Sequence, residues 1–249
     1  LSQSFVSAPD VLLDGKKQQW VLAGTGRLYV TADQKTIEQQ AFYGFKDPLD
    51  VPASKTTPAT TPPALTKAQL LDTTGVQVFK NNDVLKGGAA YSIGSTPISK
   101  FSELVNQVDT VYKGWYNNFQ ALGAGSPSER NVSASTHVSN LILYTSYDPG
   151  AQDSCDAGTS YLNVRHFNTG TAAPFAPVGS TNITQSNTAN MSFERVTLGP
   201  GLYSAPVIHR GSGGITVITQ GSTGAIGGDG VLLEAVSAGR QSWRQIFDF

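Results

Sequence analysis

The sequence predicts an all-β, β-propeller-like fold, and three observations carry that reading. The 249 residues include Gly 26 and Pro 13 among abundant Ser, Thr, Asn and Gln, which favours a turn-rich β-protein over a helical one. Short apolar runs are closed on both sides by turn residues. Residues 141–145 lie between Ser139-Asn140 and Asp148-Pro149-Gly150, and the run is too short for a helix. Units of this kind recur. Ser-Ala pairs open them at Ser7, Ser133 and Ser204, a spacing that fits a period of about 60–70 residues with one diverged copy. The expectation is about four blades of a larger, modified propeller, with short helices in the insertions, as a single domain over residues 1–249.

The elements follow in chain order. Residues 1–47 read as the first visible blade: Val11-Leu12-Leu13, a turn at Asp14-Gly15, a strand over 20–23, then Gly24-Thr25-Gly26. Residues 52–63 are rich in Pro and Thr. Proline cannot donate to a ladder, so this stretch reads as a surface loop between blades. Thr66-Lys-Ala-Gln69 fits a capping box leading into Leu70-Leu71, and Gly75 can end that turn or two of helix. Residues 76–79 and 84–85, around Asn81-Asn82-Asp83, read as a hairpin. Thr96-Pro97 can cap and start a second helix, whose apolar face is Phe101, Leu104, Val105 and Val108.

The central unit comprises strands over 132–138, 141–145 and 161–167, closed by Asn168-Thr169-Gly170. Residues 172–188 read as a long loop crossing to the last unit. That unit has strands over 204–208 and 215–219, then Gly221-Ser-Thr-Gly224 and Ala225-Ile226. Gly211–Gly214 and Gly227–Gly230 read as turns that need positive φ.

Charged residues make up 14% of the chain and the formal net charge is −1, which gives no field to draw nucleic acid or an anionic membrane. No apolar run approaches the length of a membrane span. The one cysteine, Cys155, excludes an internal disulfide and a Cys-based zinc cluster. It sits in a polar turn over 152–158, and is expected to be a free thiol or half of a bridge to a part of the protein outside this chain. The chain begins Leu1-Ser2-Gln3 without an apolar targeting stretch. The expectation is a processed product or a fragment, with any signal peptide elsewhere.

A search for chemistry assigns no catalytic, cofactor-binding or metal residue. His137, His166 and His209 show no i, i+4 spacing and no His-Glu-x-x-His. There is no Gly-x-Ser-x-Gly elbow and no Walker-type Gly-Lys-Ser/Thr, and Gly24-Thr25-Gly26 lacks the third glycine and the helix of a dinucleotide site. Asp47 with Asp50, and Asp153 with Asp156, lack the alternating oxygens of a calcium loop. Asn131, Asn182 and Asn190 head glycosylation triplets that chance explains in so Asn-, Ser- and Thr-rich a chain.

Several blocks nevertheless have a family look. Gly114-Trp115-Tyr116, Ser128-Glu129-Arg130, the apolar strand at 141–145, Asp148-Pro149 and Cys155-Asp-Ala-Gly158 resemble the C-terminal region of the PilY1 family of type IV pilus tip proteins. Ala23-Gly-Thr-Gly-Arg27 followed by Ala41-Phe-Tyr-Gly-Phe45 looks like that family's GTGR and FYG block. Gly239-Arg-Gln-Ser-Trp-Arg-Gln245 looks like its closing GR-SWRE motif, with Gln245 where Glu is usual. The blocks keep family order and span nearly the whole chain.

The resemblance implies a type IV pilus-associated assembly factor or adhesin, without catalysis. It implies an exported protein at the pilus tip, the outer membrane surface or the periplasm. The implied partners are minor pilins and a host or abiotic surface. Tyr43, Trp115 and Tyr147 are candidate anchors, with packing in a blade as the other role for each. The family's Asp-rich calcium loop has no match in these residues, so no cofactor is expected in this segment. Quinoprotein dehydrogenases share the propeller architecture, but one cysteine and no acidic cluster argue against a calcium-bound quinone here. A glycosidase needs two facing carboxylates, which spacing does not reveal. A lectin-like propeller needs no chemistry at all. An arc of few blades leaves an edge and apolar faces open, so association with the upstream segment of the same protein, or between two copies, is expected.

Overall fold

The computed structural model describes residues 3–47, 64–120, 126–151, 157–175, 177, 192, 195–212 and 214–231. Three strands open the chain: β1 (Asp10–Leu13), β2 (Gln19–Gly24) and β3 (Ala41–Lys46). After the two-residue β4 (Leu71–Asp72) comes an insertion of β5 (Val76–Val78), β6 (Val84–Lys86), β7 (Ala89–Ile93), β8 (Thr96–Ile98) and the helix α1 (Phe101–Thr110). β9 (Gly114–Asn118) then returns to the first sheet, in the order β1-β2-β3-β9-β4. The second sheet is β10 (Thr136–Val138), β11 (Leu141–Asp148), β12 (Thr159–His166) and β13 (Arg195–Pro200). The third is β14 (Val207–Gly211), β15 (Gly214–Gln220) and β16 (Ile226–Val231), and the insertion strands form the fourth. Pairing is antiparallel throughout, except that β4 runs parallel to β9. The architecture is all-β and propeller-like, and none of the four sheets closes into a barrel.

β11 shows how the sheets stack. Leu141, Ile142, Leu143 and Tyr144 are all buried, which alternation on a half-exposed strand would forbid. The reason is that both faces are covered. Ile142 and Tyr144 join a cluster with Leu22, Phe42 and Trp115 of the first sheet, and the Phe42 and Tyr144 rings stack with centroids 3.8 Å apart. Leu141 and Leu143 join a cluster with Val217 of β15, with Ile208 and Ile215 packed against it. The second sheet therefore lies between the first and third, as successive blades do. The insertion packs on the first of these clusters through Val78, Val84, Ile98, Leu104 and Val108.

The sequence reading holds for most strands and needs correction at some ends. Thr96-Pro97 does not start a helix. Both lie in the edge strand β8, and α1 begins at Phe101, where the Glu103 carboxylate accepts the Ser99 and Lys100 N–H groups at 2.7 and 3.0 Å. Its expected apolar face is correct: Phe101, Leu104 and Val108 are buried, with Val105 packed against them. The turn at 67–69 is a single one, and it exits at once into β4 because Leu71 pairs with Trp115 of β9; Gly75 ends no helix. Gly227–Gly230 is not a turn but part of β16, in register with residues 216–219 of β15. The left-handed turn residue there is Gly224, at φ 87°. The strands expected over 132–138 and 204–208 begin only at Thr136 and Val207. The first blade is not confined to residues 1–47, since β9 and β4 complete its sheet. The loop at 52–63, Cys155, the Asp153 and Asp156 pair, Asn182, Asn190 and the block at 239–245 lie outside the described residues.

Candidate functional site

The segment 128–131 straps the first sheet to the second. Arg130 and Tyr147 exchange backbone hydrogen bonds at 2.9 and 2.8 Å, and Asn131 N–H donates to the Thr25 carbonyl at 3.0 Å. The Asn131 amide also donates to the Thr145 carbonyl at 2.7 Å. A Cβ on Gly24 would overlap the Asn131 side chain, and one on Gly26 would sit 2.5 Å from Arg130 Cβ. The glycines of Gly24-Thr25-Gly26 are thus the flat seat on which the strap lies.

Arg130 is fully buried, so its charge must be satisfied internally. Its Nε donates to the Ser128 carbonyl at 3.0 Å. Nη1 donates to the carbonyls of Arg27, at 3.0 Å, and of Asp33. Nη2 donates to the Thr36 carbonyl at 3.1 Å. Burial pushes its guanidinium pKa down, and the nearby Asp33 carboxylate opposes that. The rigid fork of an arginine suits carbonyls spread over ten residues of loop in a way a lysine does not.

The loop so gripped, residues 27–38, is also fastened from within. The buried Asp33 carboxylate accepts the Tyr29 and Val30 N–H groups at 2.8 and 3.1 Å and the Arg27 Nε at 2.8 Å. Ser128 donates to the Thr36 carbonyl through both its N–H, at 2.8 Å, and its hydroxyl, at 3.1 Å. The outcome is a fixed backbone that presents apolar side chains to water. Tyr29 is 73% exposed, and Val30 and Ile37 are exposed with it. At the ends of this loop a polar hollow of about 40 Å³, lined by Ser4, Arg27, Thr36, Glu38, Gln40 and Arg130, has room for little more than water.

The anchors suggested by sequence sit elsewhere. Trp115 is wholly buried, and its Nε1 donates to the Phe167 carbonyl at 2.6 Å. A Cβ on Gly44 would lie 2.5 Å from its ring, and one on Gly170, at φ 67°, would run into it. Tyr43 is buried between Phe5 and Tyr116, with its hydroxyl donating to Gln3 Oε1. Tyr147 is half-buried and donates to the Ala157 carbonyl at 3.0 Å; burial pushes its phenol up. Trp115 and Tyr43 are packing residues, and Tyr147 is only partly covered. Exposed residues such as Tyr29, Val30 and Ile37 carry no sequence signal of their own, because single exposed apolar residues have no periodicity.

No chemistry gathers among the described residues. His137 sits in β10 and pairs with Asp10 of β1 at 2.9 Å, across the first and second sheets. His166 is buried at the end of β12 between the rings of Phe101 and Phe167, and burial takes its pKa down to about 4. His209 is exposed on β14. No group of three His, Cys, Asp or Glu side chains among the described residues is arranged to hold a metal ion. Asn131 of the first glycosylation triplet is buried, so it is closed to a glycan in the folded chain. No helix among the described residues is long and apolar enough to cross a membrane.

The chain is similar in structure to the Pseudomonas aeruginosa PilY1 C-terminal domain, as seen in its crystal structure, with a TM-score of 0.61 and 15% sequence identity. The match covers 93% of this chain and 45% of that one, so the chain spans less than half the length of this structural neighbour. No known family matches the sequence. No curated protein matches it either.

Proposed function

We propose that this chain is a non-catalytic binding unit of a type IV pilus-associated protein, acting in pilus assembly or surface adhesion. The observation that carries the reading is the fold likeness to the PilY1 C-terminal domain, which extends over 93% of the chain. The ordered blocks of the sequence, from Gly24-Thr25-Gly26 to Ser128-Glu129-Arg130, support the same assignment. The protein is exported and works at the pilus or the outer cell surface. Minor pilins, and a host or abiotic surface, are its partners.

Recognition falls to loops, which a β-scaffold can vary without disturbing its core. The loop over 27–38 is the best prepared of these, because its backbone is fixed and an exposed tyrosine loses little side-chain entropy on binding. Pull-down of separate minor pilins on the chain is the test, with Tyr29→Ala and Val30→Ser as variants that keep the urea midpoint of the parent. Capture of a pilin that falls at least tenfold in Tyr29→Ala supports both the pilus role and the loop. Absence of any pilin partner, together with normal piliation and adhesion in a deletion strain, refutes the role. Capture unchanged in both variants moves the binding surface off this loop.

A further inference from the structure

The small sheet of the insertion does not stay zipped. β6 and β7 leave the Gly87-Gly88 turn as a pair, with Lys86 opposite Ala89 and Leu85 opposite Ala90. The same register would set Val84 against Tyr91 and Asp83 against Ser92, and it is not kept. β7 swings away to pair with β8, and the chain after β8 takes its place. Val84 N–H donates to the Ser99 carbonyl at 2.9 Å, and Asp83 bridges to Lys100. Between the three strands lies a hollow of about 330 Å³. Its base is Val84, Tyr91 and Ile98, whose side chains belong to the buried core. Its walls are Phe79, Leu85, Ala90 and Pro97. Polar groups are few. Ser92 lies opposite Pro97, which has no N–H, so the two exchange no pair of backbone bonds. The Ser92 N–H and C=O therefore point away from β8, into the gap that β6 would have filled. Asp83 also borders the hollow, its carboxylate held by the Lys100 ammonium and the Asn81 amide, each at 2.6 Å.

We propose that the hollow ringed by β6, β7 and β8 is a binding site for a small neutral aromatic ligand, one or two rings carrying a single hydrogen-bonding head. Volume sets the size. About 330 Å³ is at the low end of ligand sites, enough for a compact ring system and not for an oligosaccharide or a length of peptide. The lining sets the character. Apolar walls over an apolar base would leave the hydroxyls of a sugar unpaired, at a cost for each. The Phe79 ring gives an aromatic ligand an edge or a face to pack on, which an aliphatic one does not exploit. Ser92 and Asp83 set the head. A backbone N–H and C=O turned into the gap offer one donor and one acceptor. The Asp83 carboxylate is already matched by Lys100, so a charged head meets a like and an opposite charge together and gains little. The hollow lies in the insertion, away from the loop over 27–38, so the inference stands or falls independently of pilin binding.

Indole is the probe, titrated into the isotope-labelled 249-residue chain and followed by amide chemical shifts. The amides of Leu85, Ala90, Ser92 and Ser99 should move and saturate, with half-saturation below about 1 mM for a ligand of this size. Ala90→Phe puts a ring into the hollow from an exposed strand position, and should weaken indole at least tenfold while keeping the urea midpoint of the parent. Leu85→Asn makes one wall polar and should weaken it likewise, which keeps the test open if Ala90→Phe does not fold. Ser95→Phe, in the exposed turn between β7 and β8 and outside the lining, should bind indole as the parent does. Benzoate and glucose should each bind at least tenfold more weakly than indole. Absence of any saturable shift up to about 5 mM indole overturns the proposal. Binding that survives unchanged in both lining variants puts indole elsewhere and overturns it too. Tighter binding of glucose or benzoate than of indole overturns the assigned ligand class.

Discussion

Gly44→Ala is the sharpest test of how the first and second sheets are joined. Gly44 lies in the middle of β3, opposite Trp115 of β9, and its backbone is in an ordinary extended region. Alanine there should gain slightly from lost chain entropy, by about 0.5 kcal/mol. The Trp115 ring reverses that sign. The new methyl would stand 2.5 Å from Cε2 and 2.7 Å from Nε1, and Trp115 is boxed in by Phe42 on one side and Gly170 on another. The ring cannot yield without breaking its 2.6 Å hydrogen bond to the Phe167 carbonyl. Overpacking costs about 1–3 kcal/mol, and a buried carbonyl left unpaired adds about 1 kcal/mol. The expected loss is about 2–4 kcal/mol in urea unfolding followed by circular dichroism. Gly15→Ala, which meets nothing within 4 Å, is the matched control and should be neutral or slightly stabilising. Trp115→Phe removes the struck edge of the ring, so the double variant should be at least 1 kcal/mol more stable than the sum of the two single losses predicts. A Gly44→Ala chain within 0.5 kcal/mol of the parent, or strict additivity with Trp115→Phe, would refute the packing argument.

Arg130→Met should cost about 3–5 kcal/mol, because it strands buried carbonyls of Arg27 and Ser128 and frees the 27–38 loop. Arg130→Lys should recover less than half of that in the same urea assay, and full recovery would show that charge rather than fork geometry matters. His166 is held neutral by burial, so its folded pKa of about 4 lies below the unfolded value of about 6.5. Its contribution is complete above pH 6.5 and drains as pH falls toward 4, by about 3 kcal/mol in all. His166→Phe should flatten the stability profile across that window, and an unchanged slope would assign the acid sensitivity to other groups. Calorimetric titration of the chain with calcium should give no stoichiometric binding at micromolar affinity, and a clear isotherm would mean that carboxylates distant in sequence converge on an ion.

The strands were legible where length and composition agree. Residues 141–145 announce a strand because five apolar-rich residues between two turns have no room for a helix, and their lack of alternation is the mark of a sheet covered on both faces. Non-local pairing was not legible. The two residues of β4 earn their place only by lying parallel to Trp115-Tyr116, more than forty residues on, and nothing within residues 67–75 foretells that. Glycine misled at Gly227–Gly230, where composition reads as a turn but the register along β15 pulls the segment out straight. Thr96-Pro97 misled for a related reason. A Thr-Pro pair suits a helix start and the edge of a small sheet equally, and pairing of Ser92 with Pro97 selects the second.

Among the described residues, the glycines and aromatics of the blocks that gave the sequence its family look share one set of contacts. Gly24 and Gly26 are the floor for Asn131 and Arg130, and Gly44 is the floor for Trp115. Phe42 of the same block lies flat on Tyr144 of β11. Each pairing joins parts of the chain that are far apart in sequence, and each fails if either side gains or loses a few atoms. Residues under that constraint report the fold and say little about partners. Tyr29, Val30 and Ile37 are under no such constraint, since water already surrounds them. Two proteins could therefore share every block and differ in what they bind. Exchanging 29–37 between them while keeping Asp33 should exchange the partner preference proposed for this loop without moving the urea midpoint, because the carbonyls that Arg130 grips belong to the backbone and not to the exchanged side chains. Preference that stays with the blocks instead would place recognition in the sheets.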